Sequence, residues 1–297
     1  MLGIINLNKP TGKTSHDMVS MVRRALGIRR VGHAGTLDPE ASGVLPILVG
    51  KATALSDLLI EKTKVYTATV RLGIATDTYD ITGVVREQHN FRPTPEQIMA
   101  VAQEFVGDIS QLPPMYSAIK VNGKKLYELA RKGEVIDRKP RQVHIYRLEC
   151  SNFVDDGFTM TVECSKGTYI RSLCHDIGKA LGTCACMASL VRNQSGPFYL
   201  TDAVTIEELQ EAVETGQVEK LILPPETVLA SYPAVSVSSA YGNKIRNGLR
   251  FRVGQLGLEH AKEGDVFRLY ENDVLLCLVK VVVSDKGLVL AIDKSFY

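Results

Sequence analysis

The chain has 297 residues, of which 45% are hydrophobic and 23% charged, and its formal net charge is +2. This composition excludes a disordered chain, and the length suits one large domain or a large one plus a small one. No run of about 18 apolar residues occurs, so the sequence predicts no membrane-spanning helix. Lys9 precedes any long apolar segment, so we expect neither a signal peptide nor a transit peptide.

Six cysteines are scattered over the second half of the chain, which is not the spacing of a disulfide framework. We therefore expect a cytoplasmic protein. The charge is uneven: segments 9–30 and 120–147 carry +5 and +6, whereas segment 202–226 carries −6. Each run fits an ordinary solvated surface, but two basic tracts that fold together would form a positive surface suited to nucleic acid.

The predicted elements alternate irregularly between strands and helices. In chain order they are a strand at 4–7, a helix from Ser15 to a stop at Gly27, a loop from Gly32 to Gly43, a strand at 66–72, a helix after the capping box at 94–97, a strand at 158–164 and a helix that stops at Gly182. Because these are not repeated β–α–β units, we expect an α+β fold with a mixed, largely antiparallel sheet and flanking helices.

The C-terminal part has a different pattern. Beyond an acidic helical segment, the pairs Pro224–Pro225 and Tyr232–Pro233 interrupt the chain. Strand-like runs follow at 251–253, 266–269, 274–283 and 288–292, which predicts a small β-barrel or sandwich of about 60 residues. We therefore expect two domains, residues 1–232 and residues 233–297.

Several familiar site motifs do not fit. Gly12-Lys13-Thr14 looks like the end of a phosphate-binding loop, but Leu7 stands where that motif requires glycine. Cys184 and Cys186 are separated by a single residue, which is not a zinc-site spacing, and the zinc-deaminase signature is absent. The sequence thus predicts neither a nucleoside triphosphatase nor a metal centre.

The loop at 32–43 is the strongest candidate site. It combines His33 and Asp38 with three glycines. Glycine allows the backbone to approach a ligand closely, and Pro39 restricts Asp38 to extended geometry. Asp38 is therefore either a catalytic carboxylate or the cap of a turn, and the residues alone leave both interpretations open.

Two tyrosines are further candidates. Tyr66 lies on a predicted strand, and Tyr116 precedes the basic tract that begins at Lys120. Aromatic side chains beside basic segments are typical of proteins that bind single-stranded RNA. A core position for Tyr66 and a loop anchor for Tyr116 explain each residue equally well when it is taken alone.

Taken together, ordered motifs in the chain resemble one family. They are Lys9-Pro10-Thr11-Gly12 with Ser15, the run 32–39 with 41–43, Lys64-Val65-Tyr66, Thr76-Asp77-Thr78 with Asp80, the runs 114–120 and 123–128, and the run 164–171 with Leu190 and Arg192. Over residues 3 to 192 the chain resembles the bacterial TruB-type tRNA pseudouridine synthases. The C-terminal part is similar only in general character, to a small PUA-like RNA-binding domain.

The resemblance implies that the protein isomerises the uridine at tRNA position 55, in the T-loop, with no metal or cofactor. It assigns the nucleophile to Asp38, its arginine partner to Arg171, and base stacking with proton acceptance to Tyr66. An opposite charge lowers the pKa of a carboxyl group, so Arg171 would keep Asp38 ionised. Attack at uracil C6, assistance at the sugar and formation of a glycal all suit a carboxylate.

The resemblance also implies a binding surface for the tRNA T-arm, from which the target base must be flipped out. The expected substrate-binding residues are His33, Tyr169, Leu190, Lys9, Tyr116 and Lys120. We expect a monomer with no protein partner and no membrane contact. The alternatives are a non-catalytic tRNA-binding or tRNA-folding protein, and a scaffold that uses the acidic segment to dock other proteins.

Overall fold

The computed structural model describes residues 1–117, 119–121, 123–134, 136–285 and 287–297, with only the backbone of Lys120 and Lys125. Its strands are β1 (Gly3–Lys9), β2 (Val31–His33), β3 (Ala41–Val49), β4 (Lys64–Leu72), β5 (Ile74–Thr76), β6 (Val85–Gln88), β7 (Gly107–Gln111), β8 (Lys120–Val121), β9 (Lys124–Lys125), β10 (Arg141–Val154), β11 (Gly157–Cys164), β12 (Ala185–Ser195), β13 (Phe198–Tyr199), β14 (Ala234–Ser236), β15 (Phe251–Arg252), β16 (Val266–Glu271), β17 (Val274–Ser284) and β18 (Gly287–Ser295). Its α-helices are α1 (Ser15–Leu26), α2 (Ser56–Ile60), α3 (Pro95–Glu104), α4 (Leu126–Ala130), α5 (Ile170–Ala180), α6 (Ile206–Glu214), α7 (Glu226–Leu229) and α8 (Ser239–Arg246).

A mixed sheet forms the centre of the larger part of the molecule. Its strands lie in the order β1, β3, β12, β4, β11, β10, β7, with β2 added on β3 and β13 on β12. Strands β3 and β12 run parallel, and the other neighbours run antiparallel. Helices α3 and α5 pack against the sheet. The predicted α+β class, with a largely antiparallel sheet and flanking helices, is confirmed.

A second sheet occupies the C-terminal part. Its strands lie in the order β14, β16, β17, β18, β15, and α8 contributes to its own apolar core. A separate apolar cluster connects it to the larger part, since Leu278 and Phe296 share this cluster with Leu55 and Phe198. The four predicted strand-like runs are confirmed, whereas the short β14 and the helix α8 are not predicted by the sequence.

Helix α1 begins and ends where its sequence predicts. Thr14 and Asp17 form a reciprocal capping box at the N-terminus, and Gly27 adopts the left-handed conformation at the C-terminus, with a φ of 65°. The apolar face of α1 packs in one cluster with α6 and with strands of the central sheet. This packing brings Ser15, the first residue of α1, to the loop that carries Asp38.

The loop predicted for residues 32–43 is shorter than expected. Strand β2 includes Gly32 and His33, and β3 begins at Ala41, so only residues 34–40 form what we call the Asp38 loop. The sequence does not predict β3, because this strand is buried almost throughout and lacks the alternation of a half-exposed strand. Since β3 lies between β1 and β12, it anchors one end of the Asp38 loop in the middle of the sheet.

Candidate active site

One small cleft brings together five of the predicted site residues. Asp38, Tyr66, Tyr169, Arg171 and Leu190 all line it, and its volume is about 100 Å³. Clefts for drug-sized ligands hold roughly 300–1,000 Å³, so this one suits a much smaller group such as a single nucleobase. A larger cleft of about 620 Å³ in the C-terminal sheet shares no lining residue with it.

Strand pairing explains how positions far apart in the chain meet at this cleft. Tyr66 on β4 lies opposite Arg192 on β12, and Leu190 on β12 lies opposite Ala41 on β3. Ala41 directly follows the Asp38 loop, and its N–H donates to the Asp38 carbonyl at 3.1 Å. The sheet therefore places Tyr66 and Leu190 beside the end of the loop that carries Asp38.

Asp38 and Arg171 form a two-point ion pair. Arg171 Nε lies 2.9 Å from Asp38 Oδ2, and Arg171 Nη2 donates to Asp38 Oδ1 at 3.2 Å. The arginine side chain is only 6% exposed, whereas that of the aspartate is 40% exposed. The planar guanidinium thus fixes the orientation of the carboxylate while leaving part of it accessible to a ligand.

The other donors of Arg171 are also occupied. Nη2 donates to the Tyr116 carbonyl at 2.8 Å, and Nη1 donates to the Thr78 carbonyl at 3.1 Å. Nη1 also lies 3.6 Å from Asp80 Oδ2. Asp80 is therefore a site residue to which sequence reasoning assigned no role, and its only signal was its place in a polar motif.

The carboxyl group of Asp38 titrates above its ordinary range. Burial raises the pKa of Asp38, the charge of Arg171 opposes this rise, and the charge of Asp80 adds to it. The side chain keeps some accessible surface, but in so narrow a cleft protein atoms replace much of the surrounding water. We expected Arg171 to lower the pKa of Asp38, but burial has the larger effect and the net direction is upward.

Hydrogen bonds hold the Asp38 loop from the side of β1 and α1. The Leu37 N–H donates to Ser15 Oγ at 2.9 Å, and Ser15 Oγ donates to the Leu37 carbonyl at 3.1 Å. The Gly12 N–H donates to the Pro39 carbonyl at 2.9 Å. The residues on both sides of Asp38 are therefore fixed by hydrogen bonds.

Lys9 takes part in the same support rather than facing outward. We expected it to bind substrate, but it is 0% exposed. Its Nζ donates to the carbonyls of Pro10, Lys13 and Pro39 at 2.8, 2.5 and 3.0 Å. All three hydrogens of the ammonium group are thus used within the chain, and Lys9 supports the Asp38 loop from inside.

Arg192 is a second buried arginine at the site, and it is 1% exposed. Its Nε donates to the Val44 carbonyl at 2.7 Å, and its Nη2 donates to the Gly35 carbonyl at 3.0 Å. Burial raises the pKa of Tyr66, and the charge of Arg192 together with a hydrogen bond from it partly offsets this rise. Tyr66 is therefore a neutral phenol in the resting site.

Of the remaining predicted binding residues, His33 and Tyr116 do not line the cleft. His33 ends β2, and its Nδ1 is buried with no hydrogen-bond partner among the described residues. Burial lowers the pKa of His33, and the charge of Arg192 lowers it further, so the ring is neutral. Tyr116 reaches the site through its backbone carbonyl, whereas the side chain of Lys120 lies outside the described part of the chain.

Within the described ranges, no group of three or more His, Cys, Asp and Glu side chains is arranged to hold a metal ion. Nor does any helix in them have the length and apolar character needed to span a membrane. The cysteines carry no disulfide, and Cys174 is fully buried on the apolar face of α5.

Comparison with known proteins gives consistent results over nearly the whole chain. Residues 23–170 match the N-terminal domain model of the TruB family of pseudouridylate synthases, and residues 171–230 match the tRNA pseudouridylate synthase B C-terminal domain model. A curated protein from Clostridium perfringens strain SM101, named tRNA pseudouridine synthase B, is 46% identical over 94% of this chain and 95% of its own length. One of the same name from Geobacillus thermodenitrificans is 48% identical over 85% of this chain and 86% of its own.

Solved structures show the same architecture. The crystal structure of a Cbf5–Nop10–Gar1 complex contains a chain with a TM-score of 0.76 and 29% identity, matched over 99% of this chain and 85% of that one. A structure of an H/ACA RNP bound to a substrate RNA with 2′-deoxyuridine matches with a TM-score of 0.74 and 28% identity, over the same shares of the two chains.

The family models and the curated relatives identify the protein as a pseudouridylate synthase, an isomerase that acts on RNA. Within this class, the chain belongs to the TruB family.

Proposed function

We propose that this protein isomerises the uridine at position 55, in the T-loop of tRNA, to pseudouridine. It is a tRNA pseudouridine synthase, the activity for which its curated relatives are named. The observation that carries the proposal is the Asp38 carboxylate, which Arg171 holds through two contacts at the wall of a cleft sized for one base. Tyr66 lines the same cleft.

In this reaction the bond between N1 and C1′ breaks, the base turns, and a bond forms between C5 and C1′. The proton on C5 is lost and N1 gains a proton, so the composition of the RNA is unchanged. Asp38 supplies the carboxylate, which attacks C6 of uracil or C1′ of the ribose, or removes the C2′ proton on the glycal route. Each route requires an ionised carboxylate, and Arg171 stabilises that form.

The remaining cleft residues bind the flipped base. Tyr66 stacks on the uracil ring and accepts or relays the proton that leaves C5. Tyr169 and Leu190 form further walls of the base pocket. Flipping costs a few kcal/mol, and stacking of about 1–3 kcal/mol per base offsets much of that cost.

The RNA-binding surface extends beyond the cleft. His33, whose buried Nδ1 lacks a partner in the described chain, contacts the T-loop. Tyr116 precedes the basic tract, which begins at Lys120 and binds the T-arm backbone. We assign catalysis to residues 1–232 and further RNA binding to a PUA-like domain at residues 233–297. The protein acts in the cytoplasm as a monomer, with tRNA as its partner and no cofactor.

The test is to incubate the protein with an unmodified tRNA transcript, without metal or nucleotide, and to map pseudouridine by carbodiimide treatment and primer extension. We expect one new stop, at the T-loop uridine. Asp38→Asn should bind the transcript and form no product. Asp156→Asn is the matched control, since Asp156 also pairs with an arginine, Arg71, but on the surface.

Activity of Asp38→Asn close to wild type would refute the assigned nucleophile. Tight binding by the wild-type protein without any product would favour a non-catalytic tRNA-binding or tRNA-folding protein instead. A stop at another uridine would refute the assigned position while leaving the reaction in place.

A further inference from the structure

Gln111 lies at the edge of the central sheet, just before the long connection between β7 and β10. It is the last residue of β7, and it pairs with Arg141, the first residue of β10. The residues between these two, 112–140, form a segment that we call the arm, and the arm carries much of the second basic tract. Gln111 itself is 1% exposed, an unusual degree of burial for a glutamine.

The amide of Gln111 contacts both polar backbone groups of Tyr169. Gln111 Nε2 donates to the Tyr169 carbonyl at 3.0 Å, and the Tyr169 N–H donates to Gln111 Oε1 at 2.7 Å. The same carbonyl also accepts the N–H of Leu173, the first hydrogen bond of α5. Gln111 thus acts on Tyr169 as a neighbouring strand would, and it fixes the backbone where the chain enters the helix.

Two further hydrogen bonds connect the first residues of the arm, which we call its root, to the beginning of α5. Ser172 Oγ donates to the Leu112 carbonyl at 2.8 Å, and Arg171 Nη2 donates to the Tyr116 carbonyl at 2.8 Å. Ser172 is 1% exposed, so its hydroxyl donates from the buried side of this bond. The beginning of the arm and residues 169–172 therefore form one hydrogen-bonded unit.

Tyr169 needs this support more than an ordinary helix-capping residue does. It is the N-cap of α5 but has no side-chain capping hydrogen bond, and its side chain lines the base cleft instead. A residue whose side chain is committed to a ligand must have its backbone held by other groups. In the described chain, Gln111 provides the hydrogen-bond acceptor for the Tyr169 N–H.

We propose that Gln111 is a positioning residue for the isomerisation. It holds the ring of Tyr169 in the base pocket and connects that pocket to the root of the basic arm. This inference rests on the proposed function, in which Tyr169 contacts the flipped uracil. RNA bound by the arm then lies on a segment that follows Gln111 directly and is hydrogen-bonded to Arg171 and Ser172, close to the residue that receives the target base. Small displacements of such a residue are costly because the reaction depends on alignment of the base with Asp38.

The experiment measures single-turnover rates and tRNA affinity for Gln111→Met and Gln111→Glu. Methionine has a similar length and forms neither hydrogen bond, whereas glutamate retains the acceptor for the Tyr169 N–H and loses the donor. We expect Gln111→Met to lower the single-turnover rate by about tenfold, with little change in tRNA affinity. Gln103→Met is the control. Gln103 lies on α3, and its Nε2 also donates to a backbone carbonyl, that of Leu148.

A double-mutant cycle with Tyr169→Ala separates positioning from general support of the fold. If Gln111 acts through the ring of Tyr169, Gln111→Met should cost nothing further once that ring is removed. An additive loss in the double variant would overturn the proposal, as would unchanged rates for both Gln111 variants together with lower melting temperatures. Absence of product from the wild-type protein would instead refute the proposed function, so the two failures are distinguishable.

Discussion

At the scale of single residues, Arg171 has more functions than its pairing with Asp38. Its guanidinium contacts a carboxylate from the Asp38 loop, a carbonyl from the arm, and a carbonyl and a carboxylate from the turn after β5. This one side chain therefore connects three segments that are distant in sequence. Lysine would not substitute, because an ammonium group lacks the planar fork that matches these acceptors.

Asp80 affects the pH dependence of the reaction. Its negative charge raises the pKa of Asp38, so removing that charge should lower this pKa. Because activity requires the ionised carboxylate, the rate falls as the pH drops through the pKa of Asp38. We expect Asp80→Asn to shift this acidic limb to lower pH, measured as single-turnover rate against pH at saturating tRNA.

Asp77→Asn is the matched control for this prediction. Asp77 lies in the same turn, but it contacts Arg86 and the Val84 N–H rather than Arg171. The acidic limb of the pH–rate profile of Asp77→Asn should coincide with that of the wild-type protein. A limb that stays in place or moves upward in Asp80→Asn would show that Asp80 does not set the pKa of Asp38.

The residues of the site differ in how far the sequence identifies them. Asp38 stands out because a glycine-rich loop with an acidic residue is an unusual local pattern. Its pairing with Arg171 came only from resemblance to a family, since nothing local indicates a contact across 133 positions. Gln111 and Arg192 leave no local signal at all, because their roles depend on backbone groups brought to them by the fold.

At the scale of secondary structure, prediction succeeded where the signals are local. Helix α1 is marked by its apolar face and the stop at Gly27, α3 by its capping box, and β4 and β11 by regular alternation. Strand β10 escaped prediction for a definable reason. A bulge between Ile145 and Arg147 shifts its pairing by one residue, so the buried positions change from Val143 and Ile145 to Leu148, and the alternation is broken.

Two buried lysines support different elements and provide a matched pair. Lys9 donates to the Pro39 carbonyl in the Asp38 loop, whereas Lys64 donates to carbonyls at the end of α2, those of Leu59, Ile60 and Lys62. Burial lowers the pKa of both side chains to about 8. The two residues thus have the same chemistry, but only Lys9 supports the loop of the proposed nucleophile.

We expect Lys9→Met and Lys64→Met each to destabilise the protein by about 1–3 kcal/mol, because buried carbonyls lose their donors. Only Lys9→Met should also lower the turnover rate at saturating tRNA. Thermal melting together with single-turnover kinetics measures both effects. Equal losses of turnover in the two variants would indicate a general effect of stability rather than support of the Asp38 loop.

At the scale of the whole molecule, the structure shows where the basic and acidic segments of the chain lie. The basic tract 120–147 runs from the arm into β10, the strand beside β11. The acidic segment contains α6, which packs against α1 on another part of the central sheet. The small net charge therefore conceals a separation of the second basic tract, which adjoins the site, from the acidic helix, which lies against α1 in the first basic tract, 9–30.

This separation predicts where tRNA binding depends on salt. Lys124 and Lys132 are exposed side chains of the arm, and each contact with a phosphate releases counterions. The variant with Lys124→Gln and Lys132→Gln should bind tRNA more weakly, and the slope of log affinity against log salt should fall by about 1.5–2. Its turnover rate at saturating tRNA should stay close to wild type, because phosphate contacts position the RNA without entering the chemistry.

Lys220→Gln is the control for these substitutions, because Lys220 is exposed in the acidic segment and its loss should leave both affinity and slope unchanged. Binding is measured by filter retention over a series of salt concentrations, with turnover measured in parallel. If the arm variant and the control lose affinity equally, binding depends on the overall charge of the protein. If the arm variant instead loses turnover at saturation, the arm has a role in the chemical step itself.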